Sequence, residues 1–144
     1  MKNWTFRKWN NSLGWLIFGI ALITYFSTME RKLSFWDCGE YIASAIKLQV
    51  THAPGAALFQ LIGATLSAFA FGNGQNYALI INGMSALCSA FTILFLFWTV
   101  THFAKNFFQS SQKELNANQT FAVLFSGIVG ALAFTFSDTF WFSA

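Results

Sequence analysis

Charged side chains are the scarcest feature of this 144-residue chain: they make up only 9% of it, beside one proline and two cysteines. In a soluble domain, roughly a quarter of the residues are charged. Hydrophobic residues instead account for 56% of the chain and aromatic residues for 19%. These proportions exclude an ordinary soluble domain and indicate an integral membrane protein.

The positions of the few charged residues and cysteines argue against nucleic-acid binding, a disulfide and a metal site. Eight basic and five acidic residues are scattered along the chain, and no basic run alternates with aromatics, so we expect no nucleic-acid partner. Cys38 lies in a polar connection and Cys88 in an apolar run, which does not favour a disulfide. No cluster of Cys and His has metal-ligand spacing, and we assign no metal and no cofactor.

Three apolar runs, at residues 13–28, 77–104 and about 120–136, are long enough to cross a hydrocarbon core of about 30 Å. Basic residues precede the first run and no small-residue cleavage site follows it, which predicts an uncleaved signal anchor. Segment 55–71 is at the short limit for a span and could cross the membrane or lie re-entrant or interfacial.

The distribution of Lys and Arg favours three spans over four. With three spans, five basic residues lie on the inner side and three outside; with four, the counts invert. The positive-inside rule then places the N-terminus in the cytoplasm and loop 29–76 on the outer side of a bacterial inner membrane or its equivalent. The four-span arrangement stays open.

The stretch FWDCGEY at 35–41 places two carboxylates, Asp37 and Glu40, three residues apart in that outer loop. The helical period of residues 35–48 predicts an amphipathic helix on the membrane surface, with both acids on its polar stripe beside Ser44 and Lys47. Two interpretations remain: the acids form a solvated helix face, or they are functional groups at the membrane surface.

The stretch THAPG at 51–55 follows this helix and holds the only proline. Pro54 favours an extended approach and Gly55 permits a tight turn into the next segment. His52 is either an interfacial histidine packed beside an aromatic ring or a hydrogen-bond donor to an anionic lipid phosphate.

Four short segments together resemble the N-terminal region of a membrane glycosyltransferase family with a D-[SC]-G-E signature followed by H-x-P-G. The segments are DCGEYI at 37–42, THAPG at 51–55, NGMSAL at 82–87 and FSDTFW at 136–141. The family belongs to the GT-C superfamily and is related to protein O-mannosyltransferases. The resemblance implies an all-α GT-C-like N-terminal transmembrane bundle, with an amphipathic juxtamembrane helix in its first outer loop.

The resemblance also implies a reaction: transfer of a sugar, expected to be mannose, from a polyprenyl-phosphate lipid to Ser or Thr hydroxyls of an exported protein. By this resemblance, Asp37 is the general base, and Glu40 orients the acceptor or supports Asp37. His52, Pro54 and Gly55 are the expected substrate-binding residues, with His52 steadying the donor phosphate or its loop. Ala53 stands where many relatives have a second proline, which predicts a looser turn.

GT-C enzymes have more spans than this sequence contains. We therefore expect residues 1–144 to be the N-terminal part of one transmembrane domain in a longer enzyme, so that the isolated chain can be inactive.

The alternative function is a small integral-membrane scaffold or assembly subunit without catalysis. Its helices would associate through small residues. The candidates are Gly63, Ser67, Gly83, Ser85, Ser89, Gly127 and Gly130. A scaffold should tolerate loss of the acid pair, whereas a transferase should not. A transporter ranks last, because His102 is almost the only ionisable group within the apolar runs.

Overall fold

The computed structural model describes residues 3–32, 37–53, 55–109 and 115–143. Six α-helices and one 3-10 turn cover most of these residues, and no strand occurs among them. The α-helices are α1 (Asn3–Thr28), α2 (Cys38–Lys47), α3 (Ala57–Ser67), α4 (Gly74–Gln109), α5 (Ala117–Thr135) and α6 (Asp138–Ser143). This architecture confirms the predicted all-α membrane fold.

Three helices in the described part of the chain are long and apolar enough to cross a membrane. Their candidate spans are Phe6–Thr28, Gly74–Phe108 and Ala117–Thr135. Each predicted apolar run overlaps one of these helices. Helices α1 and α4, however, extend well beyond their apolar runs into polar sequence. A helix that leaves the hydrocarbon no longer needs apolar side chains, so a hydropathy run marks only its membrane-embedded part.

The doubtful segment 55–71 forms a short helix, α3, that continues as a 3-10 turn over Ala68–Ala70. At about 1.5 to 2 Å of rise per residue, the whole element is roughly 20 Å long, against a hydrocarbon core of about 30 Å. Phe71 and Gly72 then adopt left-handed backbone conformations, with φ of 49° and 78°, and end it. This length favours the re-entrant or interfacial alternative.

The chain packs as two compact units, Met1–Ser27 with Leu87–Ala144, and Thr28–Ala86. In the first unit, α1, α4 and α5 bury stripes of side chains spaced about one turn apart. The stripes include Ile17, Ala21 and Tyr25 on α1, Leu94, Phe97 and Thr101 on α4, and Val123, Gly127, Ala131 and Thr135 on α5. Such spacing keeps one face of each helix against its neighbours.

Close helix contacts in the first unit depend on small residues. A Cβ atom on Gly127 would lie 2.5 Å from Cγ2 of Thr101, so α5 approaches α4 there with no room for a side chain. Further along, the Tyr25 hydroxyl donates a hydrogen bond of 3.2 Å to the Thr135 carbonyl. Gly127, one of the residues through which a scaffold would bind its partner, is therefore occupied by packing within the chain.

In the second unit, α2 packs against α3, and a Cβ atom on Gly63 would lie 3.0 Å from that of Ala45. Helix α2 begins at Cys38 rather than at 35, and residues 35 and 36 lie outside the described part of the chain. Ser44, predicted on the water-facing stripe, is only 6% exposed. The polar face of α2 is thus narrower than its periodicity predicts, because Ser44 is buried.

Candidate active site

The turn after α2 determines which residues meet at its N-terminal end. Leu48 adopts a left-handed conformation, with φ of 54° and ψ of 43°. Its N–H donates to the Ala45 carbonyl at 3.2 Å, and the N–H of Gln49 donates to the Ser44 carbonyl at 2.8 Å. These bonds satisfy the last carbonyls of α2 and reverse the chain direction.

The reversed chain is long enough to return to the start of α2. Residues 40–48 advance by about 12 Å along the helix at 1.5 Å per residue. Residues 48–52, when extended, cover about 13 Å in the opposite direction. His52 therefore comes back level with Glu40, although twelve positions separate them in sequence.

Asp37, Glu40 and His52 form one cluster, which we call the acid–histidine cluster. The backbone N–H of His52 donates to Glu40 Oε1 at 2.8 Å, and its ring Nδ1 lies 3.0 Å from Glu40 Oε2. The other ring nitrogen, Nε2, lies 3.7 Å from Asp37 Oδ2. The side chains of His52, Asp37 and Glu40 are 50%, 62% and 41% exposed, so solvent and a substrate can reach all three.

The contacts within the cluster shift two ionisation equilibria. The hydrogen bond from the His52 backbone N–H, with a second from its ring, holds the pKa of Glu40 below its ordinary value. The hydrogen bond to Glu40, followed by the attraction of its charge, raises the pKa of His52 above its ordinary value. Both effects favour the pair of carboxylate and imidazolium.

We expect replacement of Glu40 by Gln to lower the pKa of His52, because the neutral amide cannot stabilise the imidazolium. The measurement is a titration of the histidine side chains by nitrogen-15 NMR in detergent micelles. His52 should titrate above 6.5 in the wild type and closer to that value in the variant. Equal His52 midpoints in the two proteins would show that the pair does not form.

The same shifts set the pH range in which this pair stabilises the fold. The raised His52 pKa gives a contribution that is full below 6.5 and is lost as pH rises through the folded-state pKa. The lowered Glu40 pKa gives a contribution that is full above 4.5 and is lost as pH falls through its folded-state pKa. The difference in melting temperature between wild type and Glu40→Gln should therefore be largest between these two values.

Asp37 stands at the N-cap position of α2 but does not cap it. Its side chain accepts no hydrogen bond from the first turn of the helix, although Asp is among the best capping residues. The carboxylate faces His52 instead, at the ion-pair distance given above. Capping therefore does not explain why an acid occupies this position.

Asn82, a residue to which the sequence assigned no role, holds the chain by hydrogen bonds both before and after Asp37. Its Nδ2 donates to the carbonyl oxygens of Glu30 at 2.8 Å and Lys32 at 3.1 Å. Its Oδ1 accepts a weak hydrogen bond from the Cys38 thiol, with 3.7 Å between the heavy atoms. The available signal was a carboxamide within the apolar run 77–104, since such a group needs polar partners.

We expect Asn82→Ala to loosen this part of the loop between α1 and α4. Loss of two backbone acceptor contacts removes roughly 1 to 3 kcal/mol of local stabilisation. The amides of Arg31 and Lys32 should therefore exchange with deuterium about five- to a hundredfold faster. Asn106→Ala is the matched control, because Asn106 lies on the same helix and bonds to His102. Unchanged exchange in Asn82→Ala would mean that other contacts hold the loop.

The three clustered side chains each offer one possible metal-ligand atom, and these atoms lie within 4.8 Å of one another. A divalent cation could fit this spacing. However, the His52 ring lies 3.0 Å from Glu40 Oε2 and 3.7 Å from Asp37 Oδ2, so a protonated ring partly balances the charge of the two carboxylates without a metal. We assign none.

The remaining predicted site residues lie along the same connection. Gly55 has a φ of 74° and its N–H donates to the His52 carbonyl at 2.8 Å, which agrees with the tight turn expected there. Pro54 lies outside the described residues. The predicted contact between His52 and a donor phosphate stays a prediction, as do the substrate-binding roles of Pro54 and Gly55.

The helices and the exposed cluster define an all-α integral membrane protein with reactive groups in a loop between its first two long helices. Residues 37–144 match the family described as the protein O-mannosyl-transferase TMEM260 N-terminal domain. The chain belongs to this family, and the matched region begins at Asp37. No curated protein and no solved structure matches the chain. The family confirms the prediction of a protein O-mannosyltransferase-like membrane protein.

Proposed function

We propose that this chain carries the acceptor-activating loop of a GT-C-type membrane glycosyltransferase. The enzyme would transfer mannose from a polyprenyl-phosphate donor to Ser or Thr hydroxyls of exported proteins. The family description supports mannose and a protein acceptor. The observation that carries the assignment of the base is the asymmetry between the two acids. Both carboxylate oxygens of Glu40 are engaged by His52, whereas the Asp37 carboxylate accepts no hydrogen bond from the other described residues and lies 3.7 Å from the His52 ring.

In the proposed reaction, the acceptor hydroxyl oxygen attacks the anomeric carbon of the donor sugar. A new carbon–oxygen bond forms while the bond from that carbon to the phosphate oxygen breaks, and the polyprenyl phosphate leaves with the electron pair. Asp37 takes the hydroxyl proton as the bond forms. A base in this position contributes roughly a hundred- to ten-thousandfold to the rate. The leaving phosphate is stable as an anion, and we expect transfer to need no metal or other cofactor.

Exposed apolar side chains in the loop that carries the cluster support a position at the lipid surface. Val50 is 88% exposed and Phe71 is 89% exposed, and α3 presents Leu58 and Leu61 outward. Side chains of this kind on one loop favour contact with membrane lipids. We place this loop on the outer side of the membrane, where a lipid-linked donor and an exported acceptor protein would meet.

The test is sugar transfer in membranes that contain the longest natural form of this chain. Labelled polyprenyl-phosphate mannose and an exported acceptor protein are added, and mild alkaline β-elimination then releases sugar bound to Ser or Thr. Transfer from this donor, insensitive to a chelator, is the expected result. A parallel reaction with the nucleotide sugar and no polyprenyl phosphate should transfer nothing.

The alternative outcomes separate the candidate functions. Absence of transfer with every donor, from a well-folded protein, would overturn the proposal and favour the scaffold. Transfer from the nucleotide sugar alone would keep an enzyme but exclude the lipid-linked donor. Transfer by the 144-residue chain alone would show that the site needs no further segment.

A further inference from the structure

Glu40 holds His52 at two separate points. One carboxylate oxygen accepts the backbone N–H at 2.8 Å, and the other lies 3.0 Å from the ring Nδ1. Two contacts to one residue fix both the position of the backbone and the rotation of the side chain, which a single contact cannot do. Glu40 therefore fixes the orientation of the His52 imidazole ring in addition to pairing with its charge.

Aromatic packing restricts the same ring from another direction. The ring of Tyr41 lies edge-on to the His52 ring, with centroids 6.0 Å apart and planes at 90°. Tyr41 is itself held by an edge contact with Phe59 of α3 at 5.6 Å. With Nδ1 fixed on Glu40, the opposite nitrogen, Nε2, is directed to Asp37.

We propose that Glu40 is a positioning residue that acts through His52, holding the imidazole so that its Nε2 orients the Asp37 carboxylate for the acceptor hydroxyl. The inference rests on the proposed function and adds roles for two residues. The Asp37 oxygen nearest to His52, Oδ2, is attracted by the ring. The other oxygen is then left to take the proton.

The protonation of the ring follows from its partners. Nδ1 faces one carboxylate and Nε2 faces another, so a proton on each nitrogen gives two favourable contacts, whereas a lone pair on either gives a repulsive one. The raised pKa of His52 agrees with this imidazolium form. The described groups that face the ring are Asp37, Glu40 and the edge of Tyr41.

Two other assignments predict different kinetics. If Glu40 bound the acceptor protein itself, its loss would act independently of His52. If His52 bound the donor phosphate, its loss would raise the KM for the donor. If His52 positions Asp37, its loss would instead lower kcat and leave donor binding intact, because the contact matters when the proton moves.

The experiment is a double-mutant cycle with Glu40→Gln, His52→Gln and the double variant, in the transfer assay described above. Each single variant should lower kcat by roughly ten- to a hundredfold, the range expected for a misplaced catalytic group. The double variant should be no slower than His52→Gln alone, since Glu40 has no target without His52. The KM for the donor should stay within about twofold of the wild-type value.

Glu30→Gln is the matched control, because Glu30 is another acid of this unit and its Oε1 accepts from the Arg31 and Lys32 backbone. It should keep the wild-type kcat. Losses that multiply in the double variant would overturn the proposal, as would a raised donor KM in His52→Gln or wild-type kcat in both single variants. Transfer that a chelator abolishes and a divalent cation restores would also overturn it. A wild-type protein without transfer would instead mark failure of the proposed function, and full transfer by Asp37→Asn would mark failure of its assignment of the base.

Discussion

Replacement of Asp37 by Asn should reduce sugar transfer by roughly a hundred- to ten-thousandfold, the usual contribution of a general base. Asparagine has nearly the same shape as aspartate but cannot accept the hydroxyl proton at neutral pH. The measurement is the initial rate of mannose transfer to the acceptor protein, at saturating donor, in membranes with equal amounts of each protein. The donor KM should change little.

Stability should not account for this loss. Asp37 makes no capping hydrogen bond to α2, and Asn is as good an N-cap residue as Asp, so the substitution removes no contact that holds the helix. The variant loses only an exposed ion pair with His52, and such pairs contribute little to stability, so it should melt close to the wild-type temperature in detergent. Full transfer by Asp37→Asn would contradict the assignment and direct attention to Glu40. A parallel loss of transfer and of folded protein would require a second substitution, Asp37→Ser, to separate the two effects.

The class of fold could be predicted from composition and run length alone. A chain with 9% charged residues and three long apolar runs has few options other than membrane helices. The ends of the helices could not be predicted in the same way. The apolar run of α1 starts at 13, whereas the helix starts at Asn3, because polar residues outside the hydrocarbon continue a helix without a hydropathy signal.

The candidate site was predictable in part, and the missing part has a specific physical cause. Asp37 and Glu40 share a helix face by spacing alone, and the sequence placed them correctly beside each other. The return of His52 to Glu40 depends on the left-handed conformation of Leu48. Glycine or asparagine normally marks that conformation, and leucine gives no such signal.

Asn82 was missed for a related reason. Its amide fixes residues that lie about fifty positions earlier in the chain, and no local pattern reports contacts over such a separation. The sequence placed Asn82 in NGMSAL at 82–87, a segment that carries the family resemblance, but indicated no partner for its amide. The fold shows that this group connects α4 with the loop that carries Asp37.

The largest expected effect on stability is that of Gly127→Ala, in the packing of α5 against α4. The added Cβ would lie 2.5 Å from Thr101 Cγ2 and 2.8 Å from Phe97 Cε2. Phe97 is fully buried and Thr101 is 1% exposed, so neither can move away without displacing its own neighbours. We expect a loss of about 1 to 3 kcal/mol in the free energy of unfolding, the usual range for overpacking. Thermal unfolding in detergent, followed by circular dichroism, should show the lower melting temperature.

Gly130→Ala separates the clash from the general effect of adding a methyl group to a helix. The nearest atom to a Cβ on Gly130 is Val100 Cγ2 at 3.8 Å, an ordinary contact distance. Alanine exceeds glycine in helix propensity by roughly 1 kcal/mol, so this control should be neutral or stabilised. Opposite shifts in the two variants, on one helix and three residues apart, would show that α5 packs on α4 through Gly127. Equal shifts would contradict that interface, and a scaffold that used Gly127 for a partner would then regain support.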